Sequence, residues 1–332
     1  MTEKEFRQAL CCSDAAQLEA MARRARELTL RHFGKVIQLY APLYLANYCE
    51  NECVYCGFKR SNPVRRRKLS LEEVKREAAA VASGGIRHIL LLTGSSRSRT
   101  PVSYLEECIR VLGGYFSSVS IEVYPLKEKE YAGLIAAGLD GLTIYQETYD
   151  RALYAALHRS GDKKDYDSRF SAPERACRAG IRTLNIGALL GLRDVREEAF
   201  ALGCHAAYLV RKYPGVELGI SLPRIQPQVG GFQPPCPVSD RELVQVMLTL
   251  RLFLPRAGIT VSTRESSRLR RNLVGLGVTR MSAGSHTEVG GYTMPEKTES
   301  QFTVADTSGV AAVRRMIAEQ GYHPVMKDWQ TV

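Results

Sequence analysis

The segment Val36-Ile37-Gln38-Leu39-Tyr40-Ala41-Pro42-Leu43-Tyr44-Leu45 begins a series of apolar runs that decides the fold of this chain. Seven further runs of strand length and composition follow it, at 88–93, 119–124, 141–145, 183–188, 217–222, 258–262 and 278–282. Amphipathic stretches of helical period lie in every interval between them, at 71–83, 101–115, 127–137, 172–178, 196–212, 239–256 and 266–273. Eight strands with a helix in each of the seven intervals between them predict a single α/β domain of the (β/α)8, TIM-barrel type, and a doubly wound open sheet is the alternative.

Residues 1–34 precede the first run and predict an N-terminal helical extension, with Ser13 as a candidate N-cap for a helix over 14–32. No repeat or low-complexity linker interrupts the rest of the chain. We therefore expect two parts, the extension at 1–34 and a barrel with a C-terminal segment at 35–332.

The composition is that of a soluble globular protein, with 45% hydrophobic and 24% charged residues. No apolar run approaches the ~20 residues of a membrane span, and the N-terminus lacks a signal peptide, so we expect a cytoplasmic protein without a membrane partner. Nine cysteines in such a protein favour reduced thiols, some of them metal ligands, over a disulfide framework. The net charge of +11 favours an acidic partner, either nucleic acid or an acidic electron-transfer protein.

Three cysteines, Cys49, Cys53 and Cys56, follow the first run in the spacing C-x3-C-x2-C. One loop of this kind can present three thiolates to a [4Fe–4S] cluster and leave one iron open. A structural zinc site, the alternative, needs four closed ligands, and the other six cysteines are scattered. The spacing resembles the defining motif of the radical S-adenosylmethionine superfamily, which implies that the open iron binds the amino and carboxylate groups of S-adenosylmethionine.

Polar residues follow the ends of several runs, and a barrel gathers such strand ends at the face where active sites of this fold lie. They are Thr93-Gly94, Tyr124-Pro125, Gln146-Glu147-Thr148-Tyr149, Pro223-Arg224, Ser262-Thr263-Arg264-Glu265 and Ser282-Ala283-Gly284-Ser285. Helix caps and surface charges would explain Thr93 or Ser282, but less readily Arg264 together with Glu147. An arginine at such a position can bind a carboxylate through two parallel hydrogen bonds, and Arg264 and Arg169 are the candidates.

Several motifs in one order resemble the tyrosine lyases of the ThiH type, from about residue 14 to the C-terminus. They are Tyr44-Leu45-Ala46-Asn47-Tyr48-Cys49, Tyr145-Gln146-Glu147-Thr148-Tyr149, Ser221-Leu222-Pro223-Arg224, Ser262-Thr263-Arg264-Glu265, Met281-Ser282-Ala283-Gly284-Ser285, Gly290-Gly291-Tyr292 and the ending Gly321-Tyr322-His323-Pro324-Val325-Met326-Lys327-Asp328-Trp329. This family, the 2-iminoacetate synthases, makes a precursor of the thiamine thiazole. The resemblance implies cleavage of the Cα–Cβ bond of tyrosine to 2-iminoacetate (dehydroglycine) and p-cresol, with 5′-deoxyadenosine and methionine as the cofactor's products.

The resemblance also implies roles for residues near the cluster motif. Arg169 is expected to hold the carboxylate of S-adenosylmethionine, and Glu147 its ribose or amino group. Gly94, Glu122 and Gln146, at or near the ends of the second, third and fourth runs, are expected to bind the same cofactor.

Arg264 and Ser282 are expected to hold the tyrosine carboxylate, with Tyr44 close to the amino group. Two features depart from the family: Gly94-Ser95 stands where Gly-Glu is usual, and the N-terminus is shorter. The expected partners are L-tyrosine, a sulfur-transferring thiazole synthase, and flavodoxin or ferredoxin as electron donor.

Three other interpretations compete with tyrosine cleavage. A tryptophan lyase would share the barrel, and the sequence does not reveal the size of the aromatic pocket. The related hydrogenase-maturation enzyme carries a second cluster on a C-terminal cysteine extension, whereas this chain has no cysteine after Cys236. The basic loop 59–68 suggests an iron–sulfur RNA-binding protein, but no stacking platform or other nucleic-acid motif accompanies it, so we expect no nucleic acid partner.

Overall fold

A computed structural model of the chain describes residues 1–12 and 14–326. Within them, nine parallel strands form one sheet: Val36–Ala46 (β1), His88–Thr93 (β2), Ser118–Glu122 (β3), Gly141–Glu147 (β4), Thr183–Ala188 (β5), Glu217–Ser221 (β6), Gly258–Val261 (β7), Arg280–Ser282 (β8) and His323–Val325 (β9). β1 pairs with both β2 and β8, so the first eight strands close into a barrel in chain order. The predicted (β/α)8 barrel is confirmed, and the open doubly wound sheet is wrong.

The helices surround the barrel: Glu3–Leu10 (α1), Ala15–Phe33 (α2), Leu71–Ser83 (α3), Val102–Leu112 (α4), Glu128–Ala136 (α5), Arg151–Leu157 (α6), Tyr166–Phe170 (α7), Ala172–Arg178 (α8), Val195–Lys212 (α9), Asp240–Phe253 (α10), Ser267–Leu273 (α11) and Val310–Glu319 (α12). The seven predicted helices correspond to α3, α4, α5, α8, α9, α10 and α11, with ends that agree to within three residues. None of these helices in the described part of the chain is long and apolar enough to cross a bilayer.

The N-terminal residues form two helices that pack on the outside of the barrel. α1 contacts α9 and α10, and α2 contacts α10. Phe6 is fully buried and stacks on Phe253 with ring centroids 4.2 Å apart. Asp14 caps α2 by accepting hydrogen bonds from the Ala16 and Gln17 amides, while the expected cap, Ser13, lies outside the described residues.

The ninth strand was not predicted. β9 pairs with Val36–Gln38 of β1, and the Met326 carbonyl beyond it accepts a hydrogen bond from the Arg87 amide just before β2. A three-residue strand with a central proline has too short a pattern to be recognised from sequence. The last three residues of the family-like ending, 327–329, lie outside the described residues.

Two irregular segments cover the mouth of the barrel at the carboxyl ends of its strands. One follows β4 and contains α6, a 3-10 turn at Asp162–Lys164 and α7. The other runs from β8 to α12, with little regular structure, and carries Gln301 and Phe302. Residues of both segments line cavities at this mouth, so they bring distant parts of the chain to the strand ends.

Candidate functional site

The cysteine loop follows β1 and is held in place by hydrogen bonds to its own backbone. The guanidinium of Arg66 donates to the carbonyls of Asn47, Phe58 and Lys59 at 2.7, 2.8 and 2.6 Å. Neighbouring arginines of the 59–68 loop form ion pairs, Arg67 with Glu73 and Arg65 with Glu296. Much of the positive charge in this loop therefore stabilises local structure, which weakens its interpretation as an RNA-binding surface.

Cys49, Cys53 and Cys56 line one cavity at the barrel mouth, which we call the cysteine cavity. Its empty space is about 870 Å³ when the open solvent at its mouth is included. Burial raises the pKa of the Cys53 thiol to about 12, and burial together with the neighbouring Cys49 raises that of Cys56. Without a metal the Cys53 and Cys56 thiols stay protonated, so metal binding by these two residues must release protons.

The arrangement of the cysteines fits a cluster rather than a single ion. Among the described residues, no three Cys, His, Asp or Glu side chains converge closely enough to bind one metal ion. A closed zinc site would require four ligands at about 2.0–2.3 Å from one centre. A [4Fe–4S] cubane is wider and spreads its cysteine ligands over separate irons, which matches three thiols around one open cavity.

The side of the cysteine cavity formed by β4 carries a buried charge network. The Glu147 carboxylate accepts hydrogen bonds from Lys163 Nζ at 2.6 Å and Arg169 Nη2 at 3.5 Å. Burial alone would raise the pKa of Glu147, but the charges of Lys163 and Arg169 hold it below its usual value. The site therefore presents an ionised carboxylate and two cations, a set that can bind both ends of a zwitterionic amino acid.

Glu147 is also the one residue other than glycine in the described chain with a positive φ, at 70°. Its strand is irregular here, because the pairing of β4 with β5 shifts register between Tyr145 and Glu147. A non-glycine residue in the left-handed region carries strain that the surrounding structure must offset, and such residues cluster at functional sites.

The side formed by β2 brings the backbone close to the cysteine loop. The Gly94 amide donates to the Ala46 carbonyl at 2.9 Å, and a Cβ at Gly94 would lie 2.2 Å from the Tyr48 carbonyl oxygen. Thr93 lines the cysteine cavity, and its buried Oγ1 atom has no hydrogen-bond partner among the described residues. An unpartnered buried hydroxyl is available to a ligand, and Ser95, two residues further along, lines the same cavity.

A second cavity, which we call the inner cavity, lies deeper in the barrel mouth and contains Tyr44, Arg264 and Ser282. The Tyr44 hydroxyl donates to Gln301 Oε1 at 2.7 Å, and burial raises its pKa well above the usual value, so it remains a neutral donor. The Arg264 guanidinium lies 3.4 Å from the Phe302 ring centroid. Ser282 Oγ accepts a hydrogen bond from the Thr263 amide at 3.0 Å.

Residues common to both cavities form the wall between them, and we call this set the shared wall: Glu122, Tyr145, Pro223, Arg264, Gln301 and Phe302. Burial raises the pKa of Glu122 to about 7, with a further contribution from the negative charge of Glu147. A carboxyl group with this pKa can hold or release a proton near neutrality. From its position in the shared wall, Glu122 can therefore exchange a proton with a molecule in either cavity.

The structure brings together ten of the eleven predicted site residues. Gln146 lies outside both cavities, because it alternates along β4 with Tyr145 and Glu147, which do line them. Sequence reasoning missed Lys163 and Gln301. Lys163 lies in a polar stretch between Tyr149 and Arg169, and neither it nor Gln301 has a local signal; only their positions in the fold mark them.

Comparisons with known proteins show which families this chain is similar to. Residues 43–202 match the family model described as the Radical SAM superfamily, and residues 221–323 match the Biotin and Thiamin Synthesis associated domain. The chain is 38% identical over 332 residues to a 2-iminoacetate synthase from Escherichia coli (strain K12), covering all of this chain and 88% of the relative. The 2-iminoacetate synthase of Salmonella typhimurium is 36% identical, covering 96% of this chain and 84% of its own.

A solved structure shows the same fold over nearly the whole chain. The FeFe-hydrogenase maturase HydG from Carboxydothermus hydrogenoformans superposes with a TM-score of 0.92 at 34% identity, covering 98% of this chain and 76% of that one. The similarity therefore extends beyond the cysteine motif to the barrel and the segment that covers it.

Proposed function

Because this chain belongs to the 2-iminoacetate synthase family of radical S-adenosylmethionine lyases, we propose that it cleaves the Cα–Cβ bond of L-tyrosine to 2-iminoacetate and p-cresol. The observation that carries the proposal is the pair of adjoining cavities: the cluster cysteines line one, Tyr44 and Ser282 line the other, and Arg264 belongs to the shared wall between them. A hydrogen atom can pass between two molecules only when they lie in contact.

The cysteine cavity supports the cofactor part of the proposal. Cys49, Cys53 and Cys56 would hold a [4Fe–4S] cluster, which supplies the electron that cleaves S-adenosylmethionine when both are bound. Arg169 would hold the methionyl carboxylate of S-adenosylmethionine, and Glu147 its ribose or amino group. The unpartnered Thr93 hydroxyl supports a contact with the same molecule at the β2 side, where the backbone of Gly94 and not a glutamate is available.

The inner cavity supports the substrate part. Arg264 and Ser282 would hold the tyrosine carboxylate, with Tyr44 near its amino group. Loss of one hydrogen atom and cleavage of the Cα–Cβ bond leave 2-iminoacetate and a 4-hydroxybenzyl radical. That radical becomes p-cresol on gaining one electron, which the electron-donor protein would supply, and one proton, which Glu122, with a pKa of about 7, is the candidate residue to hold.

The partners follow from the same chemistry. 2-Iminoacetate hydrolyses readily in water, so we propose a thiazole synthase as the protein that receives it; co-elution of the two proteins in anaerobic gel filtration would support this. An acidic flavodoxin or ferredoxin is the proposed electron donor. All nine cysteines are free thiols, which favours a reducing compartment such as the cytoplasm.

The test is an anaerobic turnover with reconstituted cluster, S-adenosylmethionine, dithionite and tyrosine, in which p-cresol and 5′-deoxyadenosine are measured. Equal formation of both establishes the tyrosine lyase. Deoxyadenosine without p-cresol overturns the choice of substrate, and tryptophan is then the next compound to try. The matched control pair is Cys53→Ala, which should abolish both products, and Cys177→Ala, which changes a buried cysteine of α8 and should retain them.

A further inference from the structure

Gln301 joins the two cavities through the two ends of one side-chain amide. Its Oε1 accepts a hydrogen bond from the Tyr44 hydroxyl at 2.7 Å, and its Nε2 donates to Cys56 Sγ at 3.7 Å. Tyr44 lines the inner cavity and Cys56 the cysteine cavity, while Gln301 lies in the shared wall. The chain thus contains a continuous hydrogen-bonded connection from the substrate side to a cluster ligand.

The orientation of this amide follows from the chemistry of its neighbours. A metal-bound thiolate can only accept a hydrogen bond, so the NH2 group must face Cys56. The carbonyl oxygen then faces Tyr44, whose hydroxyl can donate to it. The two contacts therefore favour the same orientation of the amide.

The backbone holds Gln301 against the cysteine loop. Its amide donates to the Thr287 carbonyl at 3.1 Å, and its carbonyl accepts from the Gly57 amide at 3.2 Å. A Cβ at Gly57 would lie 2.4 Å from the Gln301 carbonyl oxygen, so glycine is required for this close approach. Gln301 therefore has a defined position relative to Cys56 rather than that of a freely moving surface side chain.

We propose that Gln301 is a positioning residue that tunes the cluster through its N–H···S hydrogen bond to Cys56 and links that tuning to occupation of the inner cavity through Tyr44. Hydrogen bonds to the sulfurs are among the features that set the potential of an iron–sulfur cluster. Such a donor stabilises the reduced state most, because that state carries the greater negative charge. Donation from Tyr44 to the carbonyl end polarises the amide and strengthens the bond at the other end.

The first test is a redox titration of the reconstituted cluster, followed by electron paramagnetic resonance, without S-adenosylmethionine or tyrosine. At the wild-type midpoint, Gln301→Leu should lower the ratio of reduced to oxidised cluster about tenfold, equivalent to about 59 mV for one electron. The matched control is Gln226→Leu, because Gln226 also lines the cysteine cavity. The cluster of this variant should have the same midpoint potential as that of wild type. Equal midpoints for wild type and Gln301→Leu would overturn the proposal.

A second measurement keeps the proposal testable if Gln301→Leu does not retain a cluster. Protein labelled with 15N in the glutamine side chains should show a weak 15N coupling to the reduced cluster in pulsed electron paramagnetic resonance. The coupling should persist in Gln226→Leu, which removes the other labelled glutamine of the cavity. Absence of any coupling in the wild-type protein would contradict the hydrogen bond to Cys56.

The link to the inner cavity rests on the proposed function, because it takes tyrosine as the occupant. When the ammonium group of bound tyrosine donates to the Tyr44 oxygen, the Tyr44 hydroxyl becomes a stronger donor to Gln301. Adding tyrosine should therefore raise the midpoint potential of the cluster in wild type and not in Tyr44→Phe. If p-cresol forms but the wild-type midpoint does not move, the link is wrong. If no p-cresol forms, the proposed substrate is wrong, whereas the Gln301→Leu shift without substrate still tests the tuning.

Discussion

Glu147 is ionised inside the protein because two cations surround it, and one of them, Lys163, comes from a turn sixteen residues further along. Burial works against the charged form of this carboxylate, and Lys163 and Arg169 together outweigh it. The ionised state of Glu147 therefore depends on each of these two residues. If one cation is removed, the remaining cation alone must compensate for the buried charge of the Glu147 carboxylate.

Lys163→Met should weaken binding of S-adenosylmethionine about tenfold, because the pKa of Glu147 rises and the network loses a donor. Equilibrium dialysis under anaerobic conditions with cluster-loaded protein measures the change. Lys164→Met is the matched control, since its side chain is exposed. Equal affinities in the two variants would show that Lys163 has no part in the cofactor site.

Glu122 should make the stability of the metal-free protein depend on pH. Its pKa of about 7 lies above the usual value of 4.5, so the folded state binds this proton more tightly than the unfolded state. The contribution of protonated Glu122 to the free energy of unfolding is therefore fully present below pH ~4.5 and is lost as the pH rises through ~7.

In urea unfolding, titration of Glu122 should lower the unfolding free energy of the wild-type protein by on the order of 2–3 kcal/mol between pH 5 and pH 7.5. The Glu122→Gln variant should not show this decrease. Glu107→Gln changes an exposed glutamate on α4 and should keep the wild-type pH dependence. An identical pH dependence in wild type and Glu122→Gln would show that this carboxyl titrates normally.

The elements that build the site differ in how strongly local sequence determines them. α3 begins with a capping box, in which Ser70 Oγ accepts from the Glu73 amide at 3.3 Å and the Glu73 carboxylate accepts from the Ser70 amide at 2.7 Å. Its apolar period extends over 13 residues, and its predicted ends agree with the structure. α6 and α7, of 7 and 5 residues, are too short for a clear period, and they were missed.

The cysteine loop has no regular structure and relies on Arg66 instead. Arg66→Met should shorten the lifetime of the bound cluster several-fold, because five backbone carbonyls lose a donor. Arg66→Lys should restore only part of it, since a point charge cannot replace a planar fork of donors. Loss of the visible absorbance of the reconstituted cluster over time measures the effect.

The control for this loop is Arg65→Met, which removes the exposed partner of Glu296. Surface ion pairs contribute little to stability, so this variant should keep its cluster as long as wild type. A lifetime in Arg66→Met equal to that of Arg65→Met would mean that the loop holds its shape without Arg66.

At the scale of the whole molecule, the barrel places the cluster site between substrate and solvent. Cys49 lines the cysteine cavity and also an open surface groove that contains Arg60 and Arg99. Both arginines are exposed, and the chain carries a net charge of +11. Glu50 also lines this groove, and its carboxylate accepts hydrogen bonds from Ser96 and Ser98. An acidic donor protein that pairs with Arg60 and Arg99 would lie beside Cys49, which shortens the path of the electron.

The double variant Arg60→Glu/Arg99→Glu should lower flavodoxin-driven turnover at least tenfold at low salt and leave dithionite-driven turnover unchanged, because dithionite needs no docking surface. Arg23→Glu/Arg26→Glu applies the same charge change to exposed residues of α2 and should affect neither rate. Equal losses with both reductants would mean that the groove residues act on the cluster rather than on the donor.

The sequence by itself determined the series of alternating strands and helices and the cluster motif, because both depend on short-range patterns, whereas the pairing of β1 with β8 that closes the barrel was decided by the tertiary structure. Strand and helix periods repeat within a few residues, and three cysteine ligands lie within one loop. Only the tertiary structure decided the shared wall, the role of Lys163 and the position of Gln301. The contacts of Gln301 with Cys56 and Tyr44 join residues 245 and 257 positions apart, and no local pattern records a contact that the closing of the barrel creates.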